Sequence, residues 1–554
     1  MVGMNLVNRH SLADLGRDHY DLLVCGGGIN GAGIAREAAL RGLKVLLVEK
    51  GDFGSGTSSR STKLAHGGLR YLENREFGLV RESLRERGTL MKVLAPHLVK
   101  PMPFLLPFYQ GDRFPAWYVK AGLWTYDALA IGSGIGMHRS FGRSETLAME
   151  PSLGPQGLKG SSVYYDCQMN DARLVLENIL DAERLGARCQ NYCSLVSTHA
   201  LRLGEVRARI RDEIEEREAE VSASLLINAA GPWVDEVMGR LKRSSAPLVK
   251  PTKGVHLVTR PLTQSHAMFL PARADKRIFF VIPWHYNGRA ASLVGTTDTD
   301  FRGDMNHVRA EAEDTAYLIQ ELKRVFPQER LGPADLWGTY AGLRPLTAPG
   351  AGGGSNSSIS RESSLFEDDG LISLTGGKFT TYRAICESLV ARAAELLAIA
   401  HPRGSNPLPP SLSALKPLPG APKNAHEREL LADARGLAGR YGVDEASAAL
   451  LISLYGVAAL AVLELTREEP EWKAPLAPGS PAILAQAVYA ARHEKAQRLA
   501  DFYLRRTFLG LELAPDHKGV DRVASLMGNE LRWSRDAEVE ELDYLKRVVA
   551  GEYR

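Results

Sequence analysis

The sequence predicts an α/β protein with an added helical region: a Rossmann-like nucleotide-binding domain, a second domain built on an antiparallel sheet, and a C-terminal α-helical domain. Three observations carry that expectation. Residues Asp21 to Lys50 read as strand, glycine turn, helix and strand. Residues 278–283 and 291–296 are apolar runs flanking Asn287-Gly288, a residue pair that favours a two-residue hairpin. Beyond a proline-rich linker, Pro407 to Pro419, residues Asn424 to Arg554 keep a helical pattern.

In the first of these stretches an apolar run, Leu22 to Cys25, stops at Gly26-Gly27-Gly28-Ile29-Asn30-Gly31. An alanine-rich helix follows to about Arg41, and Val45 to Val48 ends at Glu49. The spacing is G-x-G-x-x-G inside a βαβ unit. One glycine makes the turn, one lets backbone approach a pyrophosphate, and one lets the helix pack on the strand. The helix then points unpaired N–H groups and its positive dipole end at the phosphates. Glu49 follows Gly31 by 18 residues, where a carboxylate accepts hydrogen bonds from a ribose 2'-OH and repels a 2'-phosphate. NADP is therefore disfavoured. Gly132 to Gly136 and Gly350 to Gly354 are also glycine-rich but join no apolar strand to a helix, and they read as loops.

At 554 residues and 60.5 kDa the chain has room for two to four domains. With 44% hydrophobic and 24% charged residues its composition is that of a globular protein. The net charge of +3 gives no reason to expect a nucleic-acid partner. Five cysteines without C-x-x-C spacing or clustered histidines suggest neither a disulfide framework nor a metal site, which suits a reducing compartment. Met1 to Tyr20 resembles neither a secretory signal nor a transit peptide, so the expected location is the cytoplasmic side of a bacterial cell. The apolar stretch Ala446 to Leu463 is interrupted by Gly456 and reads as two short bundle helices rather than one membrane span.

Along the rest of the chain, Gly51 to Lys63 is small and hydroxyl-rich, offering N–H groups and hydroxyls to phosphates and a ring. It runs into His66-Gly67-Gly68-Leu69-Arg70-Tyr71, where paired glycines admit a ligand and Arg70 carries a planar fork for an anion. Phe77 to Met91 has the spacing of a solvated amphipathic helix, while Pro101 to Asp127 fits either core or an apolar surface patch. Asp171 to Leu185 reads as a helix and 188–198 as a strand. Leu225 to Asn228 is a strand ending at Gly231, beside the crevice of a doubly wound sheet. His256 lies in an alternating strand, where a lone histidine is usually structural. Arg344 stands just before Pro345, Gly350 to Ser358 reads as a mobile loop, and Leu371 to Arg383 is a second strand, glycine turn and helix with Lys378 at its entrance.

Seven motifs then carry a family likeness: the N-terminal fingerprint, SGTSSRSTKLAHGGLRYLE, NAAGPW, FFVIPW, VGTTD, AGLRPL and TGGKFTTYR. They stand in the order found in aerobic-type FAD-dependent glycerol-3-phosphate dehydrogenases, and the chain resembles that family from about Asp21 to Arg383. The segment AVYAARHEKAQRLADFYLRRT continues the likeness more loosely. The resemblance implies a discontinuous FAD-binding domain (residues 20–75, 165–245 and 340–400), a substrate-binding domain (76–164 and 246–339) and a helical domain (408–554). It implies oxidation of sn-glycerol 3-phosphate to dihydroxyacetone phosphate by hydride transfer from C2 to FAD N5. Electrons would go to a quinone, with the protein cytoplasmic and peripherally attached to the inner membrane. A homodimer is left open.

On this pattern Gly26, Gly27, Gly28, Gly31 and Glu49 hold the ADP half of FAD, and Thr57, Ser58, Lys63, Gly67, Gly231, Gly376 and Gly377 the flavin half. Arg70, Tyr71, Arg344 and Lys378 are the expected contacts to the substrate phosphate and hydroxyls. Loss of the hydroxyl proton calls for a base, with His256 the first choice and His66 the second. Thr296, Thr297 and Asp298 either orient base or substrate or cap a turn. Motif logic alone leaves NAD open. Three rival readings stand: a glycerophosphate oxidase that makes hydrogen peroxide from O2, an amine or amino-acid oxidase, and a non-enzymatic flavin-binding regulator. Arg492, Lys495, Arg498, Arg505 and Arg506, with Leu499, Phe502, Tyr503 and Phe508, read as either a lipid-binding basic helix or a bundle helix.

Overall fold

The computed structural model describes residues 9–553 apart from 133–134, 244–245, 274, 276, 287–288, 349–362, 401–407 and 512–516. The turn residues Asn287 and Gly288 and the Gly350 to Ser358 loop thus lie outside the described residues.

Five strands form a parallel sheet in the order Leu371–Gly376, Arg217–Asn228, His19–Cys25, Val45–Val48, Arg188–Gln190. Their side chains alternate between two covered faces, which is why the strands read as unbroken apolar runs. Leu22, Val24, Val45 and Leu47 pack with Ile34, Ala35 and Ala38 of helix Ile29–Leu40 and with Leu389 and Val390 of helix Tyr382–Ala400. Leu23, Leu46 and Val48 face the other way, onto Val234 and Val237 and the antiparallel strands Cys193–Arg202 and Glu205–Asp212. The first strand has neighbours on both sides, so its C-terminal end, Gly26, opens onto a crevice.

The second sheet has ten strands and is antiparallel except where Val99–Tyr109 runs parallel to Ala267–Pro271. The expected hairpin forms from Ile278–Tyr286 and Arg289–Gly295. Two expected boundaries move. Strand Leu336–Thr347 pairs along Val249–Thr259, and Leu158–Met169 pairs with Val99–Tyr109. Residues 340–347 and 165–169 therefore belong to this sheet and not to the nucleotide-binding one, because ladder pairing outranks the neighbouring glycine motifs.

Residues from Ala425 to Glu552 form the helical domain. The apolar stretch Glu445–Glu468 breaks at Gly456 into helices Glu445–Tyr455 and Ala459–Glu468, and half of its most apolar window is buried. The basic segment is no lipid-facing helix. Lys495, Arg505, Arg506, Leu499, Phe502, Tyr503 and Phe508 are buried. Arg505 and Arg506 converge on Asp52 at 2.5 and 2.6 Å, Lys495 meets Glu183 at 2.6 Å, and Arg492 and Arg498 pair with Glu530 and Glu541. Burying Asp52 and half-burying Glu183 requires such partners, so this charge is spent on docking the helical domain. Helix Phe77–Thr89 is likewise less solvated than its pattern suggests, since Glu86 and Arg87 are buried against Arg383 and Asp166.

Candidate active site

A cavity of about 1130 Å³ lies between the two sheets, and the helical domain closes part of its wall with Ala500, Leu504, Arg505, Tyr544, Glu552 and Tyr553. Nothing in the helical pattern of the tail announced that role. At one end Gly26, Gly28, Ile29 and Glu49 line it. A Cβ on Gly31 would lie 1.8 Å from the Gly26 carbonyl oxygen, so this glycine seats the helix on the turn rather than touching the cavity. Glu49 accepts from the Gly27 N–H at 2.7 Å and the Gly51 N–H at 2.8 Å; burial raises its pKa and the two amides oppose that. Ser58 Oγ accepts the Ile29 N–H at the helix N-terminus, and Thr57 donates to the Leu343 carbonyl, tying the hydroxyl-rich loop to the second sheet.

Gly231, Gly376 and Gly377 line the cavity too. Lys63 and Gly67 do not. The Lys63 ammonium is buried against Asp171 at 2.6 Å and the Ser59 carbonyl at 2.9 Å, so it braces the loop from behind. Gly67 donates its N–H to the Tyr126 hydroxyl and Asp166, and a Cβ there would sit 2.3 Å from that hydroxyl.

The far end gathers His66, Tyr71, His256, Thr296, Arg344 and Lys378. Arg344 pairs with Asp298 at 2.9 Å and reaches Thr296 Oγ1 at 3.3 Å, which gives Asp298 a cation to balance rather than a base to orient. Thr297 instead accepts from the Val255 N–H. The Lys378 ammonium stands 3.2 Å from the centre of the Tyr71 ring. Arg70 is exposed and absent from the lining. It sits on the 3-10 turn Leu69–Leu72, where successive side chains diverge by about 120°, so Tyr71 turning inward sends Arg70 out. Burial, aided by Lys378 and Arg87 against the opposing pull of Asp166, lowers the His66 pKa to about 4. Burial, Arg344 and Lys63 hold His256 well below its ordinary value. Both imidazoles are neutral near pH 7.

Two residues that line the cavity were missed from sequence, Thr62 and Phe280, and so was Tyr340, which does not line it but stacks its ring on His256. A strict two-residue alternation along Leu336–Thr347 places Tyr340, Gly342 and Arg344 on one face, which was the available signal for the tyrosine.

The comparisons accord with this geometry. Residues 21–392 match the model of FAD dependent oxidoreductases, and 413–538 that of the C-terminal domain of alpha-glycerophosphate oxidase. A glycerol-3-phosphate dehydrogenase of Synechocystis sp. is 39% identical, covering 89% of each chain. The chain belongs to the FAD-dependent glycerol-3-phosphate dehydrogenase family. Within and around that family, an alpha-glycerophosphate oxidase of Streptococcus pyogenes is 32% identical over 98% of this chain and 97% of its own. The structure of the Bacillus halodurans glycerol-3-phosphate dehydrogenase complexed with FAD superposes with a TM-score of 0.78 at 29% identity, over 98% of this chain and 96% of its own.

FAD is the family's cofactor, and the residues present fit it. Gly28, Ile29 and Asn30 put a helix N-terminus on the cavity for a pyrophosphate, and Glu49 stands where a ribose is held. Asn30 Oδ1 is buried with no hydrogen-bond partner among the described residues, an acceptor suited to a cofactor hydroxyl. The Gly376-Gly377 turn leaves room for a flat ring.

Proposed function

We propose that this chain oxidises sn-glycerol 3-phosphate to dihydroxyacetone phosphate and passes the electrons to a quinone. The observation that carries the reading is that Arg344 and Lys378, from separate strand ends, share the cavity end with Tyr71 and two neutral histidines. Two cations suit a dianionic phosphate, Arg344 with a planar fork and Lys378 with a point charge. Bound FAD supplies the hydride acceptor. His256, neutral and buried beside Arg344, is the proposed base for the hydroxyl proton, and His66 lies across the same end. Under strictly anaerobic conditions, glycerol 3-phosphate should bleach the flavin absorbance of the purified protein; an intact flavin band after addition would overturn the reading.

The oxidase reading is favoured by two observations, the 32% identity to an alpha-glycerophosphate oxidase and the match of residues 413–538 to the C-terminal domain of that oxidase. Stoichiometric hydrogen peroxide in air, with no response to added quinone, would establish it.

A cytoplasmic protein attached to the inner membrane is proposed on a different surface from the basic tail segment. Helix Ala116–Leu129 turns Leu123 and Tyr126 inward and leaves Trp117 and Trp124 70% and 60% exposed, with Tyr118, Ile131 and Met137 beside them. Tyr126 accepts the Gly67 N–H, so this helix packs on the glycine turn that leads into Tyr71. Exposed indoles on a short helix suit the interfacial layer of a bilayer. Replacing Trp117 and Trp124 with serine should abolish co-sedimentation with anionic vesicles; unchanged sedimentation would exclude this face.

A further inference from the structure

We infer that Thr62 is the positioning residue for His256, fixing the imidazole through its side-chain hydroxyl, with Tyr340 as the shared anchor of both. This rests on His256 acting as the base. The strand Val249–Thr259 places His256 between Gly295 on one neighbouring strand and Tyr340 on the other. A Cβ at position 295 would lie 2.3 Å from the imidazole Cδ2, so glycine is what admits the ring edge there. The Tyr340 ring stacks on the imidazole at 4.7 Å with 16° between planes. Nε2 lies 2.9 Å from Thr62 Oγ1, whereas Nδ1 is buried with no hydrogen-bond partner among the described residues. The ring is thus held on one face, on one edge and at one nitrogen.

Thr62 is itself held from both sides. Ser61 donates its hydroxyl to Asp171 Oδ2 at 2.7 Å, and Lys63 donates to Asp171 Oδ1 at 2.6 Å. Tyr340 donates its hydroxyl to the Ser61 carbonyl at 2.7 Å while its ring carries His256, so one side chain sets the distance between the imidazole and the threonine. A hydroxyl gives a hydrogen bond to a neutral imidazole nitrogen and accepts one from a protonated nitrogen. With Thr62 Oγ1 accepting from Nε2–H, the lone pair of the neutral ring is on Nδ1, the nitrogen left to take the substrate's hydroxyl proton, and Thr62 keeps the same bond before and after that transfer. The bond to the charged ring is the stronger one, which favours the protonated form. Against it stand the Arg344 guanidinium on strand Leu336–Thr347, with Asp298 as its counter-ion, and the Lys63 ammonium, with Asp171 as its own. Tyr340 is kept as a neutral phenol by burial.

The test compares Thr62→Val, Thr62→Ser and His256→Gln as FAD-loaded proteins, with flavin content measured by absorbance and anaerobic bleaching by glycerol 3-phosphate followed across pH. Thr62→Val should keep its flavin and a KM within about twofold, yet bleach about tenfold more slowly, a fraction of the 100-fold or more that a general base contributes. Its acid limb should move to lower pH, and Thr62→Ser should restore rate and limb. A valine variant with the wild-type rate and limb would overturn the inference, and so would a serine variant as slow as the valine, since the methyl and not the hydroxyl would then matter. A wild-type rate in His256→Gln would instead remove the base reading itself, and the inference with it.

Discussion

The two ends of the cavity are built by opposite strategies. At the nucleotide end, one contiguous stretch supplies the parts, and much of the chemistry is backbone: the glycine turn, the N-terminus of helix Ile29–Leu40 and the amides that Glu49 accepts from. At the substrate end, side chains arrive from segments near positions 62–71, 256, 296, 344 and 378, and Tyr71, His256, Arg344 and Lys378 each meet a neighbour from another segment. Backbone dipoles serve any dinucleotide, whereas side-chain cations and imidazoles choose the substrate. A short motif therefore identifies the first end, and only the assembled sheets define the second.

The sharpest way to break this contrast is at Gly31. Gly31→Val forces a side chain against the Gly26 carbonyl, where even a Cβ would sit at 1.8 Å, and should yield protein without bound flavin by absorbance. Retained flavin would mean that the turn tolerates a shift the packing argues against.

Next in size is the lock behind the nucleotide end. Asp52 is buried between Arg505 and Arg506, which hold its pKa down at about 2, while burial and Asp52 itself push neighbouring Asp501 upward. Asp52→Asn leaves two buried guanidinium groups short of charge and should cost about 3–5 kcal/mol in a urea unfolding titration, with faster flavin loss. A change under about 1 kcal/mol would mean that docking of the helical domain does not depend on the Asp52 ion pairs.

At the substrate end the contrast narrows to two arginines. Arg344→Lys keeps the charge but loses the planar fork and should lower kcat/KM about 100-fold, mostly through KM. Arg70→Lys, on the exposed side of its turn, should stay within about twofold. Equal losses at both positions would place Arg70 in the working site.

The last effect is absent at neutral pH and grows only on acidification, and it arises at the substrate end through His66. The unfolded chain protonates this imidazole below about 6.5, while the folded protein keeps it neutral down to about 4. Over that window the unfolded state binds more protons, so stability falls as pH drops from 6.5 towards 4 and is flat above it. His66→Gln should flatten that part of a stability profile measured by denaturant titration, and an unchanged slope would assign the effect to other groups.

Read without coordinates, residues 21–50 already determined the nucleotide-binding unit, because a βαβ turn is a local object whose glycines, helix start and terminal acid follow one another in the chain. The second glycine turn at 376–377, the hairpin flanking Asn287-Gly288 and the broken helix at Gly456 were legible for the same reason. Tertiary structure decided the rest. It turned Arg70 out and Tyr71 in, sent Lys63 to Asp171 and buried Arg505 and Arg506 on Asp52. It also set Tyr340 against His256. A cation's sequence neighbours do not reveal which buried carboxylate it must neutralise, since that partner lies about a hundred or more residues away: 108 for Lys63 and Asp171, 454 for Arg506 and Asp52.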